Sequence, residues 1–173
     1  MVRKNVIWAL IVVLAAMLET TWIDHISYHG VVPDLTLLMV VYFAIVDGEE
    51  RAMLTGAVGG IFQDVAGNFT LGHHVLCHVV IGYLAARVAA RLITEHPAAK
   101  AGLVFGASIV SGLLAIAIGY VQDPSIAALH NIIARVVPGS FYTALFTPIM
   151  FFALDRIFRR RKSNWTLKGG LAG

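Results

Sequence analysis

The sequence predicts an all-α integral membrane protein. It is read as a six-transmembrane-helix bundle with short loops, both termini cytoplasmic, and a short amphipathic helix on the outer face before the last span. Three observations predict it. The 173 residues are 58% hydrophobic and 13% charged, at a mean hydropathy of +0.80, where soluble domains carry about 25% charged residues. Three stretches free of Asp, Glu, Lys and Arg, Val65 to Ala86, Ala101 to Gln122 and Val136 to Leu154, approach the length of about 20 residues that a hydrocarbon core demands. The cations are also one-sided: with six crossings and both ends inside, every one of the 13 Lys and Arg except Arg135 falls on the cytoplasmic side, as the positive-inside bias requires.

The first span, 5–24, follows Arg3 and Lys4. It imitates a signal peptide at Asn5 to Leu18, but it lacks a small-x-small cleavage site and runs on through Glu19 to Trp22, so it reads as uncleaved. Trp8 and Trp22 near its ends are expected at the headgroup level. Spans two and three, 33–47 and 52–66, contain the runs Leu35 to Val46 and Ala52 to Gln63, 12 uncharged residues each, about 18 Å of helix. A re-entrant hairpin would strand Gly48, Glu49, Glu50 and Arg51 at membrane depth, where ionised groups are costly. Two short crossings cost less, with Asp34, Asp47 and Asp64 at or just inside the interfaces and facing protein or a thinned bilayer. Spans four and five, 72–93 and 101–121, follow directly from the charge-free stretches.

Between Pro124 and Val137, apolar Ile126, Leu129, Ile132, Ile133 and Val136 alternate with polar His130, Asn131 and Arg135 at helical spacing. This predicts a short amphipathic helix on the outer surface, broken at Pro138, which opens the last span, 138–157. The tail, 158–173, carries Arg159, Arg160, Arg161 and Lys162 and is expected on anionic headgroups. Six spans consume about 120 residues and leave no folded extramembrane domain. The pI near 9.2 and net charge of +3 are therefore topological and do not mark a nucleic-acid binder.

Small residues recur at helical spacing in two places, Gly56-x-x-Gly59-Gly60 and Gly102-x-x-x-Gly106 followed by Ser108-x-x-x-Gly112. Such faces let backbones approach closely in lipid. Their ordinary role is packing inside the bundle; the functional one is a docking groove for another protein's helix. Glu19, Asp34, Gln63 and Asp64, with His74 and His78, gather toward the outer half of the membrane, where ionisable groups are functional candidates. Capping and internal pairing are the structural alternative, and Arg135 is the cation available to Asp34 or Asp64 if the fold brings them together. His74 and His78 share a helix face, a weak zinc pattern without the Glu of HExxH. No serine stands in GxSxG and no phosphate-cradling GxxxxGK[ST] occurs, so no metal, cofactor or catalytic activity is expected. Cys77 stands alone and excludes an internal disulfide.

From Pro33 to Val88 the chain reads Pro33-Asp34-Leu35, an apolar run with Tyr42-Phe43-Ala44, then Gly56 to Gly60, Phe62-Gln63-Asp64, Leu71-Gly72 and Gly82-Tyr83-Leu84. This order of motifs resembles the family of the rod shape-determining protein MreD. The last span, with Pro138, Tyr142 and Pro148, is similar to that family's closing segment, but Thr143 stands where the family commonly has asparagine. The resemblance implies a non-enzymatic inner-membrane component of the bacterial cell-elongation machinery. Its members bind the single transmembrane helix of MreC and help connect cytoplasmic MreB filaments to the glycosyltransferase and transpeptidase that build side-wall peptidoglycan. A small, glycine-rich six-span bundle also resembles the substrate-binding component of energy-coupling-factor transporters, which needs an enclosed, polar-lined outer pocket. A filled core with an apolar lateral groove would instead suit a scaffold.

Overall fold

The computed structural model describes residues 2–21, 32–67, 70–91, 96–122, 124 and 128–158, and among them every regular element is helical. In chain order these are α1 (Val2–Thr21), α2 (Leu35–Val46), α3 (Glu49–Ala66), α4 (His73–Ala89), α5 (Pro97–Gln122), α6 (Ala128–Asn131), a π-helical turn (Ile132–Val136) and α7 (Val137–Phe158). Each expected span has its helix. Trp22 and the basic tail at Arg159 to Lys162 lie outside the described residues.

Helix α2 is the axis of the molecule. Its sequence has no polar face, and a helix that is apolar all round must be covered all round. Thr36 to Ala44 are each no more than 4% exposed, and α1, α3, α4, α5 and α7 all pack on them. The helix starts where the Asp34 carboxylate accepts from the Leu37 amide at 2.6 Å, satisfying one of the donors that a helix start leaves open. It stops at Gly48, whose φ of 89° only glycine adopts at low cost, and α3 begins at once. Near this end, edge-to-face ring pairs link Trp8 to Phe43, Phe43 to Tyr42 and Phe158, and Tyr42 to Phe151. The Tyr42 hydroxyl donates to Asp155 at 3.0 Å.

Around this axis the helices differ in length. Pro97–Gln122, 26 residues with an 18-residue window at mean hydropathy 2.2, and Leu129–Phe158, 30 residues with such a window at 1.5, are long and apolar enough to cross a bilayer. They carry outward stripes, on α7 Phe141, Leu145, Ile149 and Phe152, all 65% or more exposed. Helix α1 shows a similar stripe of Val6, Leu10, Leu14 and Met17.

One expectation fails here. Pro138 breaks nothing: the chain passes from Asn131 through the π turn into α7 as one helical run, and the Val137 amide bonds Ile132 O five residues back. The proline lies in the first turn of α7, where a missing N–H is tolerated, so no separate amphipathic helix forms. Trp8, expected at the headgroup level, is covered by protein. It is 7% exposed, its indole N–H donates to Thr55 Oγ1 at 3.0 Å, and the Arg51 guanidinium lies 4.3 Å over its ring.

Candidate functional site

The acidic and histidine residues singled out in the sequence converge at one end of the bundle, built from the last turns of α1 and α3, the first turns of α2 and α4, and α7. Asp64, 1% exposed, caps the start of α4. Its Oδ2 accepts from Gly72 N at 2.7 Å, and its Oδ1 accepts from His74 N at 2.9 Å and faces His74 Nδ1 at 2.8 Å. Gly72, at φ 101°, turns the chain so that both amides point at the carboxylate. Asp34 caps α2 through Oδ1 and meets His78 Nε2 at 3.2 Å through Oδ2. Its own amide donates to Thr143 Oγ1 at 3.1 Å, tying α7 to α2. Glu19 Oε2 accepts from the Thr36 amide at 3.2 Å and hydroxyl at 3.0 Å, and the Gln63 side chain lies near the same carboxylate. The two imidazoles, four residues apart, stack with centroids 6.2 Å apart.

The carboxylates are therefore held by histidines and backbone amides. Arg135 is exposed and pairs with neither Asp34 nor Asp64, because it sits on the π turn, whose residues are not buried. Among the described residues no three His, Cys, Asp or Glu side chains converge to hold a metal ion. Thr36 and Thr143 were missed as partners; Thr143 was visible only as a departure from the family's asparagine, and it supplies the acceptor oxygen that an amide side chain also offers.

The glycine faces part company. On α3, Gly56 and Gly60 are buried against α4: a Cβ on Gly56 would stand 2.6 Å from the His78 carbonyl, and one on Gly60 2.6 Å from the Val75 Cα. Gly82 of α4 repays the contact, with Ala52 backbone 2.9 Å from its own would-be Cβ, while Gly59 faces the Thr36 methyl of α2. On α5, Gly102 and Gly106 have nothing within 4 Å of an added Cβ. Gly112 does not share their face. Ten residues at about 100° per step put it some 80° round the helix from Gly102, and Val136 of the π turn fills it at 2.6 Å. Gly102 and Gly106 instead floor a groove of about 510 Å³ between α4 and α5, walled by Ile81, Leu84, Val88, Leu103 and Val110 and almost wholly apolar.

Taken together, the long apolar helices, a polar cluster bonded largely to itself and a sideways-opening apolar groove define a helical membrane protein built to pack. The family of the rod shape-determining protein MreD matches residues 2–161, and the chain belongs to it. Membership makes it a membrane protein of rod-shape determination, a structural rather than catalytic family. Comparison with curated proteins and with solved structures gave no match.

Proposed function

We propose that the protein is a non-enzymatic scaffold of the cell-elongation machinery in the bacterial inner membrane. In this reading it receives the transmembrane helix of MreC on its α4/α5 side and helps couple MreB filaments to side-wall peptidoglycan synthesis. The open Gly102–Gly106 groove carries the reading. Of the two glycine faces, only this pair leaves hollow surface, and a neighbouring helix packs by laying a ridge of side chains into such a groove. The groove opens sideways and is apolar, unlike the enclosed polar pocket that a transporter component needs.

The bundle runs through the membrane six times, with both termini cytoplasmic. The alternation of short-looped helices and the placement of all Lys and Arg but Arg135 support this. The 12-residue α2 tolerates its length because other helices cover it. Cysteines introduced at Ser27 and Asn68 should react with an impermeant reagent applied to intact cells, and one at Ser163 should not.

Co-purification of MreC with Gly106→Leu tests the function. Leucine on the open face should fill the groove, leave the melting temperature of the purified protein near wild type, and lose the partner. Full recovery of MreC with a well-folded variant would remove docking from this groove.

A further inference from the structure

We propose that ordered water occupies the polar cluster at the His74 end, held by the Gln63 amide oxygen and the His78 imidazole. Gln63 is 6% exposed and His78 1%, yet Gln63 Oε1 and His78 Nδ1 have no hydrogen-bond partner among the described residues. Native interiors leave few buried polar atoms unsatisfied, and each one calls for a specific cause. Neither atom can be relieved by turning its side chain. Flipping the Gln63 amide only replaces the stranded oxygen with an N–H2 that also needs a partner. His78 Nε2 is committed to Asp34 Oδ2, which fixes where Nδ1 points.

The surrounding groups do not supply the missing donors. Glu19 from α1, Asp34 from α2 and Asp64 from α3 offer carboxylate oxygens, which accept. The Thr36 hydroxyl is spent on Glu19, and the Nδ1 of His74 from α4 on Asp64. From α7, Thr143 turns its oxygen to the Asp34 amide. Water serves both atoms: it donates to an amide oxygen, and it can either donate to Nδ1 or accept from it, so it serves His78 in either protonation state. Buried water usually makes about three such bonds and occurs about once per 27 residues in folded proteins. His74, its side chain 25% exposed and its ring stacked on His78, marks the route by which this water exchanges with the surface.

The test is a reconstruction of the full-length chain in lipid nanodiscs at a resolution that shows solvent. Density within hydrogen-bonding distance of Gln63 Oε1 and of His78 Nδ1 is expected. Clear side chains with no such density, or a protein donor on both atoms, would overturn the proposal. His78→Gln supplies a second reading, since glutamine can keep an amide nitrogen on Asp34 while removing the Nδ1 position. With water bound there, melting should fall by about 2–4 °C for each kcal/mol of bonding lost; an unchanged or higher melting temperature would mean that the site is dry. If the variant does not fold, the wild-type map decides.

Discussion

Helix α4 meets a glycine-bearing helix on each flank, and the two contacts are built in opposite ways. Against α3, glycine faces backbone: Gly56 and Gly60 press on His78 and Val75, and Gly82 presses back on Ala52. Against α5, Gly102 and Gly106 face nothing within 4 Å, and larger side chains on both helices hold the backbones apart. The same spacing of small residues thus closes one interface and hollows the other. What decides is the residue opposite, since a glycine gains close packing only where the partner backbone can come down onto it.

The largest effect should come from filling the closed side. Gly60→Leu should prevent folding, seen as loss of expression and of detergent stability. Even Gly60→Ala must displace the Val75 backbone and should cost at least the roughly 1–3 kcal/mol of an overpacked core. Next comes the cap that positions α4 on α3. Asp64→Leu strands the Gly72 and His74 amides, each costing about 1–3 kcal/mol when buried without an acceptor, while Asp64→Asn should lose roughly half as much. Equal loss of function by the two variants at normal expression would replace the structural role with one that needs the charge.

A smaller loss is expected at Thr143→Val, about 1 kcal/mol for the bond from the Asp34 amide, with Thr143→Asn near wild type; both are read by thermal denaturation. On the open side the sign should reverse. Gly102→Ala adds a methyl into free space and removes a helix-interior glycine, so it should raise stability by up to about 1 kcal/mol. Destabilisation by Gly102→Ala would erase the contrast between the two flanks. The smallest effect belongs to the tail. Neutralising Arg159 to Lys162 removes about 1 kcal/mol of surface attraction per charge and should leave membrane insertion, measured by fractionation, unchanged.

The helices were legible because hydropathy and charge act within each segment. The 12-residue run at Leu35 could be read as a helix without knowing that it is the axis, since a uniformly apolar sequence demands cover but does not say from which neighbours. The polar cluster was legible as a group of residues at one end, not as a set of pairs: which carboxylate meets which histidine depends on the positions of five helices. Arg135 was the reasonable partner by charge and the wrong one by geometry. Gly112 was misassigned for a simpler reason, because two successive four-residue spacings, 102–106 and 108–112, do not make one face. Pro138 misled because its common role as a helix stop was displaced by the π turn that carries the helix through it.

The uneven helix lengths make the molecule a wedge toward the bilayer. Helix α4, 17 residues, spans about 26 Å, while Leu129–Phe158 spans about 45 Å at 1.5 Å per residue. A hydrocarbon slab of about 30 Å cannot match both, and each ångström of misfit costs a fraction of a kcal/mol. In the proposed six-span arrangement, lipid thins or flanking residues snorkel on the α3/α4 flank, while the long helices tilt or reach past the headgroups. The groove lies between α4 and α5, where the short and long helices meet. On the docking proposed above, a helix arriving there would fill a hollow beside a mismatch, so bilayer thickness is expected to change how strongly the partner binds.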